Sequence, residues 1–203
     1  MLEEARRLGF LGPGPALDHL RHARAFASAA LERLGTTPGR FADLGTGGGV
    51  PGLVLACAWP ESVAFLVEAK ARRAQFLRAA VESLGLARAE VLEERAEVIA
   101  RRPDLRASFD LVTARSFARP AVVSECGAPL LRVGGWLLVS EPPAGAAGPV
   151  GRERWPGTAL SELGLGSVRQ IDGPPALVAV QALEPCSDRY PRRVGIPSKR
   201  PLF

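Results

Sequence analysis

The sequence predicts a doubly wound α/β fold, with a mainly parallel seven-stranded sheet and helices on both faces. Three observations carry this. Strand and helix patterns alternate from Arg40 onward, which implies crossover helices between parallel strands. A glycine-rich turn, Gly45-Thr46-Gly47-Gly48-Gly49, follows the apolar strand Phe41–Leu44 and precedes a helix with Pro51 in its first turn. The strand-like runs number seven, the last two separated by Gly173-Pro174-Pro175.

In chain order, residues 1–14 are charged, then rich in glycine and proline, and read as loosely ordered. Pro15 to Leu34 reads as a helix, with Leu17, Leu20, Ala23, Ala27, Ala30, Leu31 and Leu34 at helical spacing and Gly35 as its stop. His19 and His22 lie on it with no cluster of Cys, His or acids nearby, which argues against a metal. Leu53 to Trp59 forms the helix after the glycine turn, ended by Pro60. Val63–Val67 is the second strand, capped by Glu68. Lys70 to Leu84 is an amphipathic helix with Ala74, Leu77, Ala80, Val81 and Leu84 inward. Ala89–Leu92 is a third strand, followed by Arg95-Ala96-Glu97 and a short helical turn. Phe109–Thr113 is the fourth strand, Ala121–Leu131 a helix and Trp136–Ser140 the fifth strand. Residues 141–157 read as a loop, Thr158–Leu163 as a short helix, and Val168–Ile171 and Ala176–Leu183 as the last strands.

In such a sheet ligands bind beyond the carboxyl ends of the strands, where strand order reverses. Asp43, the glycine turn, Glu68, Ala96, Glu97, Arg115 and Glu141 all fall on that edge. Asp43, two residues before Gly45, is placed to meet a cationic ligand. Glu68, at the tip of the second strand, is placed to accept both hydroxyls of a ribose. The pair suits S-adenosylmethionine, which carries an ammonium group, a sulfonium and a free ribose. The spacing is also met by a doubly wound domain with ordinary solvent-facing acids. Gly47-x-Gly49-x-x-Gly52 also satisfies a dinucleotide pattern, which keeps a nicotinamide-dependent oxidoreductase open.

Length and composition predict one domain over 1–203, with a helical extension over 1–39 and a basic tail over 189–203. Hydrophobic residues make up 47% of the chain, enough for a sizeable core. No apolar run is long enough to span a membrane, and the first residues lack the apolar core of a signal peptide. The three cysteines, Cys57, Cys126 and Cys186, form neither a metal pattern nor a disulfide framework, as expected in a reducing cytoplasm. Cys57 and Cys126 read as small buried thiols. The net charge is +5, and residues 189–203 hold five cations and no acid, leaving the body formally neutral. A localised basic segment is a phosphate-binding candidate, although a solvated terminus reads the same way.

Asp43-Leu44-Gly45-Thr46-Gly47-Gly48-Gly49-Val50-Pro51-Gly52-Leu53 resembles the first motif of the small-subunit (16S) rRNA guanine-N7 methyltransferases, the family also called glucose-inhibited division protein B. Leu66-Val67-Glu68 with Arg72-Arg73-Ala74-Gln75-Phe76-Leu77 is similar to its second motif, Arg95-Ala96-Glu97 to its third, and Phe109 to Ala118 to its fourth-strand motif. Tyr190 to Leu202 resembles the basic tail of many members. The resemblance covers about residues 40–140 and the tail. It implies a Rossmann-like class I S-adenosylmethionine-dependent methyltransferase that transfers a methyl group to N7 of a guanine in 16S rRNA. It further implies that Asp43, Gly45, Gly47, Val50, Glu68, Ala96, Glu97 and Arg115 serve the cofactor. Gly45 and Val50 would line its methionine side, Glu68 would hold the ribose, and Ala96 and Glu97 would bracket the adenine. Arg115 would also lie at the reacting centre, unless it is a helix-capping or salt-bridging arginine. Arg192, Arg193, Lys199 and Arg200 would touch RNA, in naked rRNA or the small ribosomal subunit. The expected protein is a cytoplasmic monomer with no metal and no membrane partner.

The chain departs from the family pattern at three places. No Asn-Leu-Thr segment precedes the first motif. His22-Ala23-Arg24-Ala25-Phe26 lacks the acid and serine of the family's His-x-x-Asp-Ser helix, and Glu141-Pro142 stands where many members have Lys-Gly. Two further readings stay open on these departures: a methyltransferase acting on another RNA or a small molecule, and an inactive ribosome-binding relative. Methylation at N7 uses an unprotonated lone pair and an already activated methyl group, so no general base is required. The demand is in-line placement at roughly 3 Å. The Asn/Asp-Pro-Pro-aromatic signature of amino-group methylation is absent after strand four. Cys126, on the wrong side of the preceding loop, is no candidate nucleophile for pyrimidine C5 methylation.

Overall fold

The computed structural model describes residues 1–142 and 154–203. Its strands are β1 (Arg40–Leu44), β2 (Val63–Val67), β3 (Ala89–Leu92), β4 (Phe109–Ala114), β5 (Leu131–Ser140), β6 (Arg169–Ile171) and β7 (Leu177–Gln181). They form one sheet in the order β3-β2-β1-β4-β5-β7-β6. β1 to β5 run parallel, whereas β7 is antiparallel to both β5 and β6. The helices are α1 (Leu2–Arg7), α2 (Ala16–Leu34), α3 (Gly52–Ala58), α4 (Ala71–Ser83), α5 (Ala96–Ile99), α6 (Pro120–Gly127), α7 (Gly157–Ser161) and α8 (Ile196–Lys199).

The central strands are apolar almost throughout because both sheet faces are covered. On one face Ala42, Leu44, Phe65, Val112 and Leu137 pack under α5 and α6 with Ile99, Val123 and Cys126. On the other, Phe41, Ala64, Leu111 and Leu138 meet Phe26 and Ala30 of α2, Leu55 of α3 and Trp59 just past its end. The order reverses between β1 and β4, so the loops after these two strands diverge to opposite faces and leave a crevice.

Four expectations are corrected. Residues 1–14 are not loose: α1 buries Leu2 and Ala5, and the segment after it packs on the glycine turn. The inward face of α2 is His19, Ala23, Phe26, Ala29 and Ala30, while Leu17, Leu20 and Leu31 are 54%, 42% and 40% exposed. The bulky Phe26 outweighs the leucines, and His19 turns inward because both ring nitrogens find partners. The sixth helix ends at Gly127, where a tight turn over Ala128–Leu130 containing Pro129 feeds straight into β5. Cys57 is exposed, not buried. The glycine- and proline-rich stretch read at 141–157 lies largely outside the described residues.

The tail is strapped to the domain. Arg106 donates to the carbonyls of Cys186, Ser187 and Tyr190, and Arg101 to those of Arg189 and Pro191. Glu125, fully buried, accepts three hydrogen bonds from Arg192, through the backbone N–H, Nε and Nη2, at 2.7–2.8 Å.

Candidate active site

After Leu44 the chain reverses at Gly45, whose φ of +68° strongly favours a residue without a Cβ. The N–H groups of Gly45 and Thr46 donate to the Val67 carbonyl at 2.8 and 3.1 Å, tying the turn to the end of β2. Glu68 then accepts from the N–H of Gly47 at 3.0 Å and of Lys70 at 2.8 Å, with the Arg73 guanidinium 3.9 Å away. Each carboxylate oxygen carries two acceptor positions, so one on each remains for a ligand. Glu68 is 5% exposed and lines the cavity.

Asp43 has a different position from the one expected. It is fully buried beneath the turn, with Oδ2 accepting from the Gly52 N–H at 3.0 Å and Oδ1 from the Thr113 hydroxyl at 2.7 Å. A Cβ at Gly52 would lie 2.5 Å from Oδ2. Asp43 lines none of the cavities at the strand ends, so it shapes the turn from below and does not itself face a ligand. Burial pushes its carboxyl up to about 6, against the hydrogen bonds from Thr113 and Gly52 and the charge of Arg115.

Three cavities meet along the crevice. The first, about 390 Å³, is lined by Gly45, Glu68, Ala96 and Glu97, as expected, and by Lys70, Arg73, Phe117, Cys126 and Ser198. The second, about 250 Å³, is lined by Gly45, Gly47, Val50 and Arg115, with Phe10, Leu11 and Gly12 as its outer wall. The third, about 730 Å³, lies beyond Arg115 and is lined by His22, Ser140, Glu141 and Asp172. Ser116 borders all three and holds a φ of +51°, a conformation that side-chain-bearing residues adopt mainly where their surroundings impose it.

Arg115 leaves the end of β4, is bonded through Nη2 to His19 Nδ1 at 2.9 Å, and borders the second and third cavities. Burial lowers its guanidinium from the ordinary value and the Asp43 carboxylate opposes this. Glu97 is 7% exposed and already accepts from the Gly195 N–H at 3.0 Å, which brings Ser198 to the cavity wall. Cys126 borders the first cavity, contrary to its expected place. Its burial, with Glu97 and Glu125 nearby, pushes the thiol far above its usual range, so it is no nucleophile. Glu141 is used internally, receiving Trp155 Nε1 at 3.1 Å and pairing with Arg154 at 3.0 Å.

The four tail cations divide. Arg192 is committed to Glu125 and is corrected from an RNA contact to a structural strap. Arg193, Lys199 and Arg200 are exposed and make no ion pair among the described residues. Among the described residues no group of Cys, His, Asp and Glu could hold a metal. Sequence reasoning missed Lys70, Arg73, Ser116, Phe117, Asp172 and Ser198. Arg73, Ser116, Phe117 and Ser198 lie inside the motifs read above, but only the folded tail and the crevice show that they face the cavities.

A mainly parallel sheet in this order, with a glycine turn at the switch point and a carboxylate at the tip of β2, defines a class I S-adenosylmethionine-dependent methyltransferase. The family profile described as "rRNA small subunit methyltransferase G" (GidB) matches residues 21–141. The chain is 35% identical over 213 residues to a ribosomal RNA small subunit methyltransferase G of Rubrobacter xylanophilus, covering 100% of this chain and 80% of that one. It is 40% identical over 195 residues to the protein of the same name from Roseiflexus castenholzii, covering 92% and 77%. The chain belongs to this methyltransferase family. In fold it is similar to the O-methyltransferase TomG of Streptomyces achromogenes, solved in complex with S-adenosylmethionine, with a TM-score of 0.62, 21% identity, and 90% of this chain and 88% of that one covered.

Proposed function

We propose that this protein transfers a methyl group from S-adenosylmethionine to N7 of a guanine in 16S rRNA, as a cytoplasmic monomer. The observation that carries the reading is the meeting of the three cavities at Ser116, with Arg115 between the second and third. The first suits an adenosine: Glu68 keeps an acceptor position on each oxygen for the ribose hydroxyls, between Ala96 and Gly45. The second suits the amino-acid end, with backbone from Gly45 to Gly48 and the apolar Val50 along its wall. The third is large enough for a purine. When bound, the cofactor supplies a methyl group that needs no further activation. The chain must then align it with the base and keep water out, tasks that fall to Arg115, Ser116 and Phe117. Arg193, Lys199 and Arg200, exposed on the same strap as Ser198, supply phosphate contacts.

Incubation with methyl-labelled S-adenosylmethionine and small subunits lacking N7 methylation, followed by RNA digestion, tests this. Label in 7-methylguanosine at one position is the expected result. Cofactor binding without label points to another acceptor, and neither binding nor label overturns the reading.

A further inference from the structure

We infer that His19, held as the neutral imidazole with its proton on Nε2, is a positioning residue that fixes Arg115 at the junction of the cavities and joins it to the segment covering the glycine turn. For its activity readout this rests on the methyl-transfer reading above; its geometric basis does not.

His19 is 3% exposed, and each ring nitrogen has one partner. Nδ1 lies 2.9 Å from Arg115 Nη2. A guanidinium only donates, so Nδ1 must accept and carries no proton. Nε2 lies 3.2 Å from the Gly12 carbonyl, which only accepts, so Nε2 carries the proton. The two bonds together admit one tautomer and exclude the imidazolium, whose Nδ1–H would point at a guanidinium N–H.

Each bond ends on a wall of the second cavity. Arg115 and Gly12 both line it, with the glycine turn between them. The segment before Gly12 is close-packed on that turn: a Cβ at Gly48 would lie 2.6 Å from Leu11 Cγ and 3.0 Å from the Phe10 carbonyl. One imidazole on α2 thus sets the spacing of a reacting-centre arginine and a cavity lid.

The charged groups facing His19 are few. On α2 they are His22, with ring centroids 6.5 Å apart, and Asp18, itself paired with Arg21 at 2.7 Å. From the end of β4 there is Arg115, with the buried Asp43 beneath it. Apart from Asp18 and Asp43, these are one guanidinium and a second imidazole.

Two substitutions separate the two nitrogens. In His19→Asn the amide oxygen takes the place of Nδ1 and accepts from Arg115, while the bond to Gly12 is lost. In His19→Gln the amide nitrogen takes the place of Nε2 and donates to Gly12, while Arg115 is released. Both lose the ring packing. The expected result is that His19→Gln lowers the transfer rate at saturating cofactor about tenfold to a hundredfold, the scale for a misplaced group at a reacting centre, while His19→Asn keeps most of it. Equal losses in the two variants, or a greater loss in His19→Asn, would overturn the inference. Nitrogen-15 NMR of the imidazoles gives a readout independent of turnover, and with two histidines in the chain assignment needs one variant. A pure Nε2–H tautomer for His19 at neutral pH is expected; an Nδ1–H tautomer or an imidazolium overturns the assignment even if the protein transfers methyl groups. If it transfers none, the proposed reaction fails and the NMR result still decides the clamp.

Discussion

The two sides of the crevice are built differently. On the β1–β3 side, each functional group sits on the strand end or turn that its own neighbours in sequence create: Gly45 and Gly47 on the turn after β1, Glu68 at the tip of β2, Ala96 and Glu97 just past β3. On the β4–β5 side, groups are held by partners remote in the chain. Arg115 is fixed by His19, 96 positions away, and Glu125 by Arg192, 67 away. Local turn chemistry dictates the first side, whereas non-local packing sets the second. The first side therefore binds in a way that single substitutions should weaken additively, and the second should lose geometry or stability as a unit.

The largest expected break is on the remote side. Arg192→Ala leaves the buried Glu125 with only the backbone bond of residue 192 and should cost about 3–5 kcal/mol of unfolding free energy, the scale for half of a buried ion pair. Urea denaturation reads it; a cost near zero would restore Arg192 to the RNA-facing set. Next is Glu68→Ala on the local side, which should weaken cofactor binding by about 1–3 kcal/mol through lost charged hydrogen bonds, read by titration calorimetry. Unchanged affinity would remove Glu68 from the ribose site.

Joint replacement of Arg193, Lys199 and Arg200 by alanine should leave stability within about 0.5 kcal/mol, because these side chains are exposed. It should lower the slope of log affinity for rRNA against log salt by about two to three, at ~0.7–0.9 per phosphate contact. An unaltered slope would make the tail purely a strap. The last effect is a pH dependence. Asp43 has a folded value of about 6, above its ordinary one, so the folded state holds its proton more tightly. Its contribution to stability is therefore present at low pH and is lost as pH rises from about 4 to about 6. Urea midpoints of Asp43→Asn should accordingly gain on the unsubstituted protein across that interval, and a constant difference would contradict the buried carboxyl.

This contrast explains what could be read from the sequence. The seven strands, their mainly parallel order and the acid at the tip of β2 follow from period, glycine placement and spacing, all local properties. Six of the eight cofactor residues named from the motifs line the first or second cavity from the β1–β3 side, and Arg115 reaches the second from β4. Asp43 does not, because a strand-end acid can point below the turn as readily as above it, and only the Gly52 N–H and Thr113 decide which. The inward stripe His19-Ala23-Phe26-Ala30 was available at spacings of four and three. Leucine content drew the reading to another face, since a buried histidine makes sense only once Arg115 is beside it. The tail's basic charge was legible, but the buried Glu125 that claims Arg192 lies inside an apolar helix and gave no sign of a partner.

The most direct test of this division is the single-turnover rate of methyl transfer at saturating S-adenosylmethionine for Glu68→Ala beside Arg115→Ala. The account predicts that Glu68→Ala recovers nearly the full rate once the cofactor is saturating, because its loss is one of binding, and that Arg115→Ala stays slow at any cofactor concentration. Full recovery by Arg115→Ala, or a persistent defect in Glu68→Ala alone, would contradict it.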